Sequence, residues 1–253
     1  QNDLRITTTY AIAPNFATPA GQVEEFGFFA DLVNVGIDEQ TGTTLSVEIV
    51  DQVSGETVYT VDEEIGTFPT NTAIQDRVFG GFTPPTEPNS LFLATYTLSS
   101  DAEDGTPMDN TRSFEFLVSD TSFFKVLNGT IATGPAADNS YSWGNSYYVP
   151  NDGQFARYAT FAVNNPGELA GKDVSILLYQ WEGDLDDDFV ANPDEYNNAP
   201  IAFNSYTFTG DEMGAITVPV SVDEVGVALE GGNHYFVVVQ YDADDDTNME
   251  MVA

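Results

Sequence analysis

The sequence predicts an all-β protein made of two tandem β-sandwich domains, the first immunoglobulin-like and the second a sandwich or jelly-roll-like domain. Three observations lead there. Apolar residues recur at every second position through most of the chain, helical periodicity is nowhere convincing, and the alternating runs are separated by clusters of Gly, Pro, Asn and Asp. Alternation of period two puts one side of a pleated strand on a core and the other in water. With 253 residues, 42% hydrophobic and 13% aromatic, the chain can fill one large or two ordinary cores.

Taken in order, alternating runs fall near 4–10, 24–33, 43–50, 56–61, 74–82, 91–99 and 113–119. "TTLSVEIVD" places Leu45, Val47 and Ile49 on one face, and "SFEFLVS" does the same with Phe114, Phe116 and Val118. This spacing is that of an immunoglobulin-like sandwich and predicts a first domain over 1–120. A second series, "QFARYATFAVN", "DVSILLYQW", "IAFNSYTFT", "AITVPVS" and "NHYFVVVQY", predicts a second sandwich over 121–253. Between them, "SDTSFFKVLNGT" is a short linker whose Phe123 and Phe124 either pack the domains together or join the second core. "FGGF" and "EGGN" open no helix, so they are turns or bulges and not phosphate-binding loops.

The 41 acidic and 6 basic residues give a net charge of −35, which repels nucleic acid and anionic membrane surfaces and favours cations. Cysteine is absent, so disulfides and thiol chemistry are excluded. No stretch approaches the roughly 20 apolar residues of a membrane helix, and no direct membrane insertion is expected. The opening "QND" reads as a processed N-terminus, and "MEMVA" resumes an apolar alternation as the chain stops, as in a fragment of a longer protein.

The densest acidic segment is "GDLDDDFVANPDEY". Counted from Asp184, side-chain oxygens fall at positions 1, 3, 5 and 9 (Asp184, Asp186, Asp188, Asn192), Val190 offers its carbonyl at position 7, and Glu195 closes the loop at position 12. Hard oxygens at alternate positions suit one calcium ion, with Asp187 off the rhythm. Phe189 stands where such loops want glycine, and the flanks read as strands, so a solvated acidic loop is the competing reading. A second run, "DADDDTNME", spaces Asp242, Asp244 and Asp246 similarly without the closing glutamate and is the weaker calcium site. "SDAEDGTPMDN", with Asp101, Asp104 and Asp109, reads as a hairpin loop, a metal site being the lesser alternative.

No catalytic constellation emerges. His234 is the single histidine and lies in an alternating strand, carboxylates abound without any pair being selected, and the chain is read as no enzyme. "NSYSWGNSYYVP" offers Trp143, Tyr147 and Tyr148 as a ligand-binding platform on which sugars could stack, the alternative being rings that fill a core.

The runs "FFADLVNVGIDEQTGTTLSVEIVDQVSGETVYT" and "YTLSSDAEDGTPMDNTRSFEFLVSD" resemble the adhesion-related immunoglobulin-like domains of bacterial surface proteins. "LYQWEGDLDDDFVANPDEYNNAPIAFNSYTFTG" resembles the sandwich that follows such domains in proteins exported by type IX secretion. The resemblance implies an extracellular or cell-surface location, although the sorting domain such proteins carry is not in this sequence. The expectation is a non-catalytic, calcium-stabilised module of a longer surface or secreted protein, used for adhesion or as a structural spacer or filament component. Its partners would be other cell-surface proteins, glycans or copies of itself. The alternative is a carbohydrate-binding accessory region of a secreted hydrolase.

Overall fold

The computed structural model describes residues 2–11, 15–125, 132–134, 140–181, 199–242 and 248–252. Apart from three single 3-10 turns, the regular structure of these residues is all strand. The chain divides into two compact units, Gln1–Lys125 and Val126–Ala253.

The first unit contains β1 (Leu4–Ala11), β2 (Ala17–Pro19), β3 (Phe26–Asn34), β4 (Gln40–Asp51), β5 (Thr57–Phe68), β6 (Thr72–Phe82), β7 (Ser90–Ser99) and β8 (Thr111–Ser119). They form two sheets, β1-β3-β6 and β2-β8-β7-β4-β5, antiparallel except where short β2 runs parallel to β8. The alternation read from the sequence decides which side faces in. Leu45, Val47 and Ile49 on β4, Phe92 and Tyr96 on β7, and Phe116 and Val118 on β8 meet Leu4, Ile6, Phe28, Ala30 and Leu32 from the other sheet. Aromatic rings dominate this core: Phe28 lies 5.6 to 6.2 Å, centroid to centroid, from Phe26, Tyr59, Phe79 and Tyr96. The "FGGF" segment is a β-bulge, because Phe26 pairs with Phe82 while Phe28 pairs with Phe79. Gly80 takes a φ of +65° there, and a Cβ on it would press on Tyr59, Val61 and Phe28, so only glycine lets the strand bend over the ring cluster.

The first unit extends past the predicted boundary at residue 120. Ala17 N–H donates to the Phe124 carbonyl (3.0 Å) and Phe124 N–H donates back to the Ala17 carbonyl (3.1 Å). Phe124 is therefore tied to the first unit by its backbone, with its ring 45% exposed, and is not a member of the second core.

The second unit contains β9 (Ala132–Thr133), β10 (Tyr141–Val149), β11 (Gln154–Ala156), β12 (Tyr158–Phe161), β13 (Asp173–Trp181), β14 (Ala202–Thr207), β15 (Ile216–Pro219), β16 (Val227–Leu229), β17 (Asn233–Tyr241) and β18 (Met251–Val252). The main sheet is β10-β17-β13-β14, all antiparallel, and three two-stranded ribbons, β11-β16, β12-β15 and β18-β9, complete the unit. One face of the main sheet supplies Val174, Ile176, Val239 and Tyr241 to a core closed by Ala159 and Phe161 on β12, Ile216 and Val218 on β15, and Leu169, Phe208, Met249 and Met251. The run "QFARYATFAVN" is two strands, not one: it breaks at Arg157, β11 pairing with β16 and β12 with β15. The protein is an all-β chain of sandwich character.

Candidate functional site

The chemically densest place among the described residues joins Asp104 and Asp109, read from sequence as part of a hairpin loop, to Asp3, which the sequence did not connect with them. One carboxylate oxygen from each of Asp3, Asp104 and Asp109 lies within 4.8 Å of the other two. Asp3 immediately precedes β1, while Asp104 and Asp109 belong to the connection between β7 and β8. The connection is held by its own hydrogen bonds. Leu4 N–H donates to Asp104 Oδ2 (2.7 Å), Thr106 N–H to Asp104 Oδ1 (2.6 Å), and Gly105 N–H to the Asn2 carbonyl (2.9 Å). Arg5 Nε donates to Asp109 Oδ2 (2.7 Å), and that hydrogen bond, with the charge behind it, raises the guanidinium pKa further.

Three carboxylates against one guanidinium leave negative charge in excess. Asp3 Oδ1 and Asp109 Oδ1 are both shut off from solvent and accept no hydrogen bond from the described residues. A carboxylate oxygen taken from water without a donor is costly, and a cation is what would compensate two at once. Calcium binds oxygens at about 2.3–2.6 Å, so ligands on opposite sides of one ion stand roughly 4.6–5.2 Å apart, and the observed spread fits inside that. The donor set is all oxygen, as calcium prefers, and backbone carbonyls or water would have to complete its shell of about 6–8. Asp101 is not part of the group: its Oδ2 accepts from Thr41 Oγ1 (3.0 Å) and its amide donates to the Thr41 carbonyl.

The calcium ligands expected from sequence, Asp184, Asp186, Asp188, Val190, Asn192 and Glu195, lie outside the described residues, as do Asp244 and Asp246 of the weaker run. Asp242 is described. It borders a cleft of about 340 Å³ together with Lys172, Asp173, Ser175 and Gln240, and accepts from Gln240 Nε2 (3.0 Å).

The platform expected of Trp143, Tyr147 and Tyr148 is split by the pleat. Trp143 packs against the second core, on the same side of β10 as Tyr147, whose phenol pKa burial raises. Tyr148 points the other way. There it stands opposite His234, which stands opposite Trp181, with ring centroids 4.8 and 5.0 Å apart. Successive registers add Phe236 beside Tyr179, then Gly144, Val238, Leu177 and Phe203, then Ser142, Gln240, Ser175 and Ser205. The outer face of this sheet thus grades from aromatic to aliphatic to polar, and its polar end is the cleft.

No protein-family model matches the chain, and no curated protein does. Among solved structures, a cycloisomaltooligosaccharide glucanotransferase of Paenibacillus sp. complexed with cycloisomaltoheptaose is similar over 47% of this chain and 14% of that one, at 15% identity and a TM-score of 0.36. An alpha-L-rhamnosidase of Streptomyces avermitilis complexed with L-rhamnose is similar over 98% of this chain and 22% of that one, at 10% identity and a TM-score of 0.27. A beta-porphyranase of glycoside hydrolase family 86 from Bacteroides plebeius is similar over 92% and 35%, at 11% identity and a TM-score of 0.24. The chain spans a minor part of each of these proteins, and likeness at this level says nothing about what it binds.

Sequence reasoning named Asp104 and Asp109 but did not join Asp3 to them, for a definite reason. Asp3 and Asp104 are about a hundred positions apart, and only the closing of β1 against the rest of the first unit brings them together. A local ligand rhythm, the signal used for 184–195, does not exist for such a site. The outer sheet face was missed because "NHYFVVVQY" is apolar on both sides, so alternation cannot say which one is core.

Proposed function

We propose that the chain is a non-catalytic, cation-stabilised module of a longer extracellular or cell-surface protein, working in adhesion or as a structural spacer or filament component. The observation that carries this reading is the group Asp3, Asp104 and Asp109, with two buried carboxylate oxygens that no donor among the described residues satisfies. A cation there would bridge the start of β1 to the β7–β8 connection. It would thereby fasten the N-terminal end of the first unit to the body of its sandwich, a useful property in a part that transmits load. The strongly acidic composition and the resemblance to adhesion-type immunoglobulin-like domains support the same reading.

The test uses the whole chain. In chelator and then in millimolar calcium, the Leu4 and Thr106 amides, which donate to Asp104, shift on titration, and the first unit becomes more stable by about 2.7 kcal/mol at roughly one hundred times the Kd. Asp104→Asn keeps a hydrogen-bond acceptor but loses the charge and removes both effects. Magnesium does less, because it holds a smaller, stricter shell. Calcium-insensitive Leu4 and Thr106 amides in the unaltered chain would overturn the proposal.

A further inference from the structure

The outer face of the β10-β17-β13-β14 sheet is a second feature with its own chemistry, independent of any cation. Its inner face is committed to the core, yet its outer face is not the polar surface that an antiparallel sheet ordinarily turns to water. Phe203 is 58% exposed and Ile201 38% exposed, and half-buried Leu177 and Val238 continue the apolar strip inward from them. Along the same strands this strip runs without interruption into hydroxyl, amide and carboxylate groups at Ser175, Gln240, Asp173 and Asp242, which line the cleft of about 340 Å³.

We propose that this face binds a neutral oligosaccharide. A pyranose has an apolar C–H face and a rim of hydroxyls, so a chain of them needs an apolar strip with a flat ring in it next to donors and acceptors, as Phe203, Leu177 and Val238 stand one register from Ser175 and Gln240. Carboxylates and side-chain amides can take two neighbouring hydroxyls at once. At roughly 3.3 Å per residue, nine-residue β13 offers on the order of 26 Å, room for several linked rings. Charge selects the class of occupant. The net −35 opposes nucleic acid, uronate-bearing or sulfated polymers and a second copy of the chain, and among the described residues Lys172 is the one cationic side chain on the cleft.

The experiment exposes the whole chain, with calcium chelated, to immobilised neutral gluco-, manno-, xylo- and galacto-oligosaccharides and to their uronate counterparts. At least one neutral series is retained and the uronates are not. Phe203→Ala and Gln240→Ala each weaken binding about tenfold, the scale of one lost ring or hydrogen-bonding contact. Phe155→Ala and Tyr158→Ala, which remove exposed rings from other strands, leave binding unchanged. Phe203→Trp keeps binding and shows that a flat ring is what matters, and an unchanged melting curve shows that each variant is folded. Retention of no neutral sugar, preference for the uronates, or binding indifferent to Phe203→Ala and Gln240→Ala would overturn the proposal. Because calcium is chelated throughout, failure here leaves the cation reading standing, and the reverse also holds.

Discussion

The two units use aromatic residues in opposite ways. In the first, Phe28, Phe79, Phe82, Phe92, Tyr96 and Phe116 all turn inward and contact one another between two sheets of long strands. In the second, the core is built from Val, Ile, Met and a few rings, while Tyr148, Trp181, Tyr179, Phe236 and Phe203 lie on the far side of the main sheet. Rings in a core contribute area removed from water and edge-to-face contacts. On the outer face Tyr148, His234, Trp181 and Phe236 are half-buried against one another, while Phe203 is 58% exposed. The first unit is thus the one whose aromatics are gathered into its core, and the second the one that also carries rings on its outer sheet face, with Phe203 the most exposed of them.

The largest effect that would break this contrast is a stability difference. Phe28 is fully buried among four other rings, so Phe28→Ala costs the first unit about 3–5 kcal/mol, the cost of a large cavity. Phe203→Ala in the second unit stays within about 0.5 kcal/mol, as for surface substitutions. Denaturant unfolding of both variants decides the matter, and a comparable loss from the two would show that the outer face is a second core.

That contrast also measures what a sequence can reveal. Seven of the first unit's eight strands were legible, because runs such as Leu45, Val47 and Ile49 alternate with Ser46 and Glu48, so that polarity separates inside from outside; short β2 was not foreseen, and β5 continues to Phe68 where the alternating run ended at 61. On β17 the same rule fails. Tyr235, Val237 and Val239 face the core side and His234, Phe236 and Val238 face the other, and all but His234 are apolar or aromatic. The trio Trp143, Tyr147 and Tyr148 was divided for the same reason, since neighbours in sequence on a strand lie on opposite faces. The aspartate group was not legible as a whole because Asp3 meets Asp104 and Asp109 only through tertiary pairing, whereas a loop such as 184–195 carries its whole pattern in consecutive residues.

A smaller effect sharpens where the first unit ends. The pair of backbone hydrogen bonds between Ala17 and Phe124 lies beyond residue 120, the boundary suggested by strand spacing. Each such bond is worth about 0.5–1.5 kcal/mol net, so residues 1–125 fold cooperatively alone and are more stable than residues 1–120 by about 1–3 kcal/mol. Equal unfolding midpoints for the two would return the boundary to residue 120 and make the Phe124 pairing incidental.

The most local effect concerns Glu212, in the turn between β14 and β15 of the second unit. Burial works to raise its carboxyl, yet four donors outweigh it: Thr209 N–H (2.6 Å), Tyr206 Oη–H (2.7 Å), Thr209 Oγ1–H (2.9 Å) and Gly210 N–H (2.9 Å). They hold the pKa down at about 2, against an ordinary value of 4.5. A carboxyl depressed on folding contributes stability that is fully present above its unfolded pKa and is lost as pH falls through the folded one. For Glu212 that window runs from 4.5 down to about 2. Followed by NMR through acid titration, the Thr209 and Gly210 amides keep their neutral-pH positions when exposed carboxylates protonate near about 4, and move only toward about 2. Glu212→Gln removes that late step and loosens the turn at neutral pH, while the aspartate group of the first unit is unaffected. Thr209 and Gly210 amides that titrate together with the exposed carboxylates would show that the turn does not hold its carboxylate as the four donors require.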